Sequence, residues 1–306
     1  MKKWLIPAGI LFLAAALALI PVVQTRQLTI NSSYFNVYQG LAKAQNWAKW
    51  YPYLKTERAS VQGDSVNNFK IKGRSSKIEL RTIGLAAFNV NITGNKGAGS
   101  FQCVVTANPK MNVTDMIISR HYKLLGYLQA IAGGDGDETF IDDLKNYLED
   151  PLSYYGFAMK LQTTKDQFLI VKDGKYLTDS VCPDNIATLN YLKNVAAKLK
   201  LKTGELRLQY VSAIKDSTSL ILGIAIQGER HADSAVQYMQ MPGSKVLAGT
   251  FKGKYKDRQQ LYRALYLYMA DHNMHQQTKP YETFINNQLP ANDETIVDMQ
   301  VIVPYV

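Results

Sequence analysis

Cysteine is nearly missing from this chain: Cys103 and Cys182 are the only two in 306 residues. That scarcity excludes a disulfide-built scaffold, and their separation excludes a C-x-x-C redox or zinc motif. A bridge between them is not indicated, because they fall in what read as separate units. Histidine is scarce too. His121, His231, His272 and His275 show no metal-ligand spacing with cysteine or aspartate. His272 and His275 stand three apart at an expected helix end without a third ligand, so they read as surface or capping residues. No metal and no cofactor is expected. Also missing are a G-x-S-x-G elbow, a paired-carboxylate motif and a glycine-rich phosphate loop, the signatures of several hydrolase and nucleotide-binding classes.

Acidic residues fall short of basic ones, 25 against 35, giving a formal net charge of +10. The basic residues are scattered, and their densest cluster is only "KGKYKDR", Lys252 to Arg258. No helix-turn-helix, zinc-finger or RNP-type pattern accompanies it, so no nucleic-acid partner is expected. A solvated basic surface, suited to anionic lipid headgroups, is the better reading. The balance of 46% hydrophobic and 20% charged residues is that of a globular protein, and the length suggests two domains. What the chain has in plenty is tyrosine, 19 against 3 tryptophans. A ring with a hydrogen-bonding tip suits half-buried sheets and ligand pockets alike.

The N-terminus, "MKKWLIPAGILFLAAALALIPVV", carries Lys2 and Lys3 and then no charge from Trp4 to Val23. Such a run is long enough to cross a bilayer as one helix. It continues into "IPVVQTRQ" without a good small-x-small cleavage site, which favours an uncleaved anchor over a cleaved signal segment. By the positive-inside rule the lysines stay cytoplasmic and the body lies outside, in a bacterium the periplasm. A single N-terminal transmembrane helix through residues 4–23 is therefore expected.

After the anchor, the first unit reads as strand, helix, strands, helix. "RQLTINSS" alternates, and "YFNVYQGLAKAQNWAKW" places Phe35, Tyr38, Leu41 and Ala42 at helical spacing. Short strand-like runs follow: "NNFKIKG", "SKIELRTIG", "AAFNVNITG" and "GSFQCVVTA". "DETFIDDLKNYLEDP" then offers Asp137 as a cap, an apolar stripe of Phe140, Ile141, Leu144, Tyr147 and Leu148, and Pro151 as a stop. This order, together with the N-W-x-x-W-x-P stretch at Asn46, Trp47, Trp50 and Pro52, resembles the SRPBCC superfamily (START-like, polyketide-cyclase-like) over residues 26–150. The resemblance implies a helix-grip antiparallel sheet enclosing an apolar cavity for hydrophobic ligands. The bland alternative is that Trp47 and Trp50 only pack helix on sheet.

A linker at 151–163 leads to the second unit, 164–306. Here a strand-helix-strand-strand pattern occurs twice. "QFLIVKDGKYL", "DNIATLNYLKNVAAKLK", "GELRLQYVSAI" and "TSLILGIAIQG" form the first copy. "AVQYMQMPGSKVLAGTFKG", "KDRQQLYRALYLYMADHNM", "KPYETFINN" and "ETIVDMQVIVPY" form the second. The fold class is thus α+β, with an internally duplicated second domain. Its ending resembles the GyrI-like effector-binding domain, the ligand domain of many AraC-type and MerR-type regulators. The matching features are Gly253 and Tyr255 before the second helix, Pro280, Glu282 and Phe284 on a strand, and a terminal strand ending in Val303 and Pro304. The resemblance implies a groove between the repeats that takes a hydrophobic or cationic small molecule, with the acidic residue at Glu282 as counter-charge.

Glu282 poses its own physical question, because strand parity sets it on the same face as Phe284. A buried carboxylate needs a partner, either inside the protein or arriving from outside. Aromatic faces beside it would complement a cation, which favours the outside partner. Pairing with a nearby Lys or Arg is the competing reading. Tyr255, Tyr262 and Tyr266 are candidate groove residues with Phe284, although Tyr262 and Tyr266, four apart, can equally be core. The expected function is a membrane-anchored, extracytoplasmic small-molecule binding or sensing protein. The alternatives are a hydrolase of small electrophiles using Glu282 and Tyr255, and a non-catalytic component of an envelope complex.

Overall fold

The computed structural model describes residues 19–55, 59–64, 66–94, 99–108, 113–133, 139–177, 181–214, 217–227 and 236–306. Most of the expected membrane helix therefore lies outside the described residues. Its last three residues, Pro21, Val22 and Val23, open strand β1 (Pro21–Ile30) instead of closing a helix. Among the described residues no helix is long and apolar enough to cross a membrane. The chain divides into two compact units, Met1–Asp150 and Pro151–Val306.

The first unit is a seven-stranded antiparallel sheet built from β1, β2 (Ser60–Gly63), β3 (Asn68–Lys72), β4 (Ser76–Gly84), β5 (Ala87–Gly94), β6 (Gly99–Asn108) and β7 (Val113–Lys123). Their order is β1-β7-β6-β5-β4-β3-β2, so the first strand pairs with the last. Period-two alternation buries one face: Phe69 and Ile71, Ile78 and Leu80, Phe88 and Val90, Met116 and Ile118. Helices α1 (Tyr34–Ala42), α2 (Ala44–Trp50) and α3 (Pro52–Lys55) follow β1, while α4 (Leu124–Gly133) and α5 (Thr139–Glu149) follow β7.

Ser33 caps α1, its side chain accepting from the Asn36 N–H. The helical run then breaks at Lys43, which turns extended and bridges to Val66. This corrects the expected stripe at its first position. The buried arc runs through Val37 and Leu41, and Phe35, roughly 200° round the helix from Val37, is 62% exposed. Trp47 and Trp50 are fully buried with ring centroids 4.5 Å apart. Their indole N–H groups donate to the carbonyls of Leu41 and Gly40 at 2.7 and 3.0 Å. Phe140 of α5 packs on Trp50 and Phe101. The tryptophans thus fill the space between helices and sheet.

In the second unit, residues 151–163 are not a linker. They carry α6 (Pro151–Tyr155) and strand β8 (Met159–Thr163), whose backbone pairs antiparallel with β13 (Lys245–Lys254) from Met159↔Gly249 to Thr163↔Lys245. The remaining elements are β9 (Gln167–Leu177), α7 (Val181–Lys198), β10 (Lys202–Ile214), β11 (Ser217–Gln227), β12 (Gln237–Met241), α8 (Gln259–Asp271), β14 (Tyr281–Phe284) and β15 (Ile296–Pro304). The eight-stranded order β12-β9-β11-β10-β14-β15-β13-β8 is a palindrome of the two repeats, β9-α7-β10-β11 and β13-α8-β14-β15. The strand leading into each repeat, β8 or β12, lies at the outer edge of the other repeat, which ties the two together. At the centre β10 meets β14, with Leu208 opposite Glu282 and Arg207 opposite Thr283.

Both helices pack on the sheet over a core including Leu192, Leu222, Leu261, Leu265, Met299 and Val301. Gly249 on β13 permits that approach. A Cβ built there would lie 2.6 Å from Cδ1 of Leu261 and 3.0 Å from Cδ2 of Leu265, both on α8.

Candidate functional site

The short central strand β14 aims Glu282 at the helix-bearing face of the sheet, where it is 0% exposed. A single 3-10 turn, Tyr255–Arg258, joins β13 to α8 and brings the residues that meet it. Residues three apart in such a turn eclipse one another, so Tyr255 and Arg258 project together. Tyr262, four beyond Arg258, continues that line on α8.

The carboxylate is fully engaged. Tyr255 donates its hydroxyl to Oε2 at 2.7 Å, Tyr262 donates to Oε1 at 3.0 Å, and Nε of Arg258 donates to Oε1 at 3.0 Å. Arg258 also donates through Nη1 to the Tyr255 carbonyl at 2.9 Å. Its guanidinium carbon lies 3.7 Å from the Tyr255 ring centroid and 5.5 Å from that of Tyr210. Because Tyr255 gives its proton to Glu282, its oxygen is the acceptor for Tyr210, the two hydroxyls being 2.7 Å apart. Tyr210 in turn accepts from Nη2 of Arg258 at 3.4 Å.

Burial dominates the acid–base behaviour of the cluster. It pushes the Glu282 carboxyl above the ordinary range, against the pull of Arg258 and the two phenols. It lifts Tyr210 to about 12, helped by the Glu282 charge. The same two causes, in the same order, hold Tyr255 and Tyr262 far above the usual phenol range.

Beside this cluster opens a cleft of about 550 Å³. Tyr210, Tyr255 and Arg258 line it together with Cys182 and Pro183 from the start of α7, Thr218 of β11, Lys256, and the loop from Ala291 to Glu294. Glu294 is bridged by Lys256 and by Lys254, the latter at 2.9 Å. Both cysteines are free thiols. Burial raises the Cys182 thiol, with Asp293 adding to the effect. Among the described residues no group of three or more His, Cys, Asp or Glu side chains is placed to hold a metal ion.

Of the residues singled out from the sequence, Glu282, Tyr255 and Tyr262 come together in one hydrogen-bonded cluster. Phe284 is buried beside them, its ring centroid 6.3 Å from that of Tyr255. Tyr266, one turn further along α8, is 43% exposed and makes none of the cluster's bonds described above. The partner of Glu282 is internal: Arg258 supplies the counter-charge that the sequence argument sought from outside. Tyr210 and Arg258 went unnoticed as site residues. Arg258 was visible only within a basic cluster read as surface charge, although its spacing from Tyr255 was a usable signal. Tyr210 offered only its strand parity with Leu206 and Leu208.

No family model and no curated protein matches the chain. Several solved structures resemble parts of it. The C-terminal domain of EcmrR is 13% identical over 49% of this chain and 98% of its own, with a TM-score of 0.42. An uncharacterised conserved protein from Listeria innocua is 12% identical over 48% of this chain and 92% of its own, with a TM-score of 0.40. SAV2435 bound to tetraphenylphosphonium is 18% identical over 48% of this chain and 93% of its own, with a TM-score of 0.33. These are likenesses only, and what the cleft can do follows from its own residues.

Proposed function

We propose that the second unit is a small-molecule-binding module of GyrI-like type, and that its ligand is a lipophilic cation or a hydrophobic molecule taken at the cleft over Tyr210, Tyr255 and Arg258. The observation that carries this reading is the carboxylate of Glu282, enclosed by two phenols and a guanidinium immediately behind a cleft of about 550 Å³. A cleft of that volume suits a drug-sized molecule, and convergent polar groups with shifted pKa values beside it mark a binding site. Aromatic faces with a carboxylate at their back complement a delocalised cation.

The first unit supports the helix-grip, SRPBCC-like reading through its strand order, with the first strand beside the last and a helix following. Trp47, Trp50, Phe88, Phe101 and Phe140 fill its inner face, so ligand capture is assigned to the second unit. The uncharged run that follows Lys2 and Lys3 up to Ile20, before β1 begins at Pro21, supports membrane anchoring with the body outside the cytoplasm.

The test is calorimetric titration of the full chain with tetraphenylphosphonium and with neutral triphenylphosphine oxide, repeated on Glu282→Gln. Preference for the cation that disappears in the variant is the expected result. Equal binding of both probes by the parent protein sinks the cation reading.

A second reading is favoured by one feature, the hydroxyl chain Tyr210–Tyr255–Glu282. With Glu282 enclosed and Arg258 seated beside it, a substrate in the cleft would pass a proton to the carboxylate through those phenols. Such a relay suits general-base hydrolysis of a small electrophile. Turnover of aryl esters or epoxides that is lost in both Glu282→Gln and Tyr255→Phe would replace binding with catalysis.

A further inference from the structure

We infer that Arg258 is a resident occupant of the cation site, so that a ligand cation enters only by displacing its guanidinium. This rests on the binding reading above and concerns what regulates that same site. The guanidinium already makes each contact that a bound cation would want. It is 3.0 Å from Glu282 Oε1, its central carbon is 3.7 Å from the Tyr255 ring centroid, and Tyr210 is 5.5 Å away on the same measure. The cage is therefore filled by the protein itself.

Three features make Arg258 a removable plug. Its side chain is 13% exposed and faces the cleft, whereas Glu282 is 0% exposed behind it. Beyond its bond to Glu282, its short hydrogen bond is to the Tyr255 carbonyl within its own turn; the contact to Tyr210 is long, at 3.4 Å. Asp293 lines the same cleft and offers a carboxylate to a guanidinium that has let go of Glu282. A ligand that prefers Glu282 then shifts the population from the seated guanidinium to one released into the cleft.

The chemistry of the plug also defines what can replace it. A guanidinium is weakly hydrated and stacks on aromatic faces. A small hydrated ion loses too much water to compete, while a delocalised or aryl-bearing cation does not. The site consequently selects lipophilic cations twice, once by the aromatic faces and once by the occupant they must outcompete.

The experiment titrates the full chain, Arg258→Met and Arg258→Lys with tetraphenylphosphonium and with its isosteric anion tetraphenylborate. Melting curves for each variant confirm folding. Arg258→Lys keeps a charge beside Glu282 and guards against failure of the methionine variant to fold. The expected result is cation affinity at least ten-fold higher in Arg258→Met and intermediate in Arg258→Lys. On adding the cation to the parent protein, the resonance of the Arg258 Nε–H that is bonded to Glu282, assigned by its loss in Arg258→Lys, should disappear. If the parent binds the cation and both folded variants bind it equally or more weakly, the plug is refuted and the binding reading survives. If no protein binds the cation, or if the parent takes tetraphenylborate and Arg258→Met loses it, both fall.

Discussion

Glu282 and Arg258 form an enclosed ion pair across the start of α8, with Nε 3.0 Å from Oε1 and the two side chains 0% and 13% exposed. Their exposures are unequal, and that asymmetry decides what each substitution does. Removing Glu282 leaves a guanidinium that can turn toward water. Removing Arg258 leaves a carboxylate that cannot. Breaking a buried pair costs about 3–5 kcal/mol when the survivor stays enclosed. We therefore expect Arg258→Met to destabilise the second unit by about 3 kcal/mol at neutral pH, and Glu282→Gln by less. Chemical denaturation of the two variants checks the order.

The same asymmetry gives a pH signature. Burial raises the Glu282 pKa above its unfolded value of 4.5. A group raised on folding adds stability that is fully present below the unfolded pKa and is lost as pH rises through the folded one. In Arg258→Met the guanidinium no longer opposes that rise. The melting temperature of this variant, measured relative to the parent, should recover as pH falls toward 4.5. A difference that stays flat with pH would show that Glu282 is not the group left stranded.

The phenols supply an independent readout. Tyr210 is held at about 12, chiefly by burial and next by the Glu282 charge, while Tyr255 and Tyr262 sit well higher. Alkaline titration at 295 nm should show a delayed second wave of tyrosines that includes Tyr210. Since these pKa values are raised on folding, their stabilising effect is present below 10 and is lost as pH climbs through the folded values, so alkaline unfolding should accompany the second wave. In Glu282→Gln the negative charge is gone, and the Tyr210 step moves down. An unmoved step would break the link between the two groups.

How far the sequence reached into this site depended on which interactions are periodic. Strand parity put Glu282 and Phe284 on one face, and helical spacing found the stripe of Phe140, Ile141, Leu144 and Leu148, because a single element reports its own buried side. The repeated strand-helix-strand-strand order was legible for the same reason. What stayed hidden was made by long-range pairing. The exchange of β8 and β12 between repeats is invisible in the local pattern, which is why residues 151–163 read as a linker. The Arg258–Glu282 contact spans two elements and a loop, and within "KGKYKDR" only the three-residue spacing from Tyr255 marks Arg258 as the residue that turns inward. Phe35 failed differently: the break at Lys43 set the buried arc of α1, and a one-stripe reading of the longer run placed it wrongly.

Cys182 offers a chemical probe of the cleft. Its thiol is half-buried and raised by burial and by Asp293, whereas Cys103, 0% exposed in the first unit, is pushed up to about 12. Thiolate is the reactive form, so at pH 8 iodoacetamide should modify Cys182 slowly and leave Cys103 untouched until unfolding. A ligand occupying the cleft should slow Cys182 further without changing Cys103. Mass spectrometry of the two peptides, with and without tetraphenylphosphonium, reads both effects. Equal protection of both thiols would mean that the ligand acts on global stability and not at the cleft.

Gly249 links the packing of the second unit to the placement of its site. Its missing side chain lets Leu261 and Leu265 of α8 settle on β13, both of them fully buried. A methyl at this position needs α8 to move by several tenths of an ångström, because those leucines have neighbours on every side. Overpacking of this kind costs about 1–3 kcal/mol. Arg258 ends the 3-10 turn that runs into α8 and Tyr262 lies in the first turn of α8, so displacement of the helix also loosens their hold on Glu282. Gly249→Ala should lower stability by about that amount and, because the resident guanidinium is held less firmly, bind tetraphenylphosphonium more tightly than the parent does. Stability lost with cation affinity unchanged would mean that the 3-10 turn fixes Arg258 independently of the helix behind it.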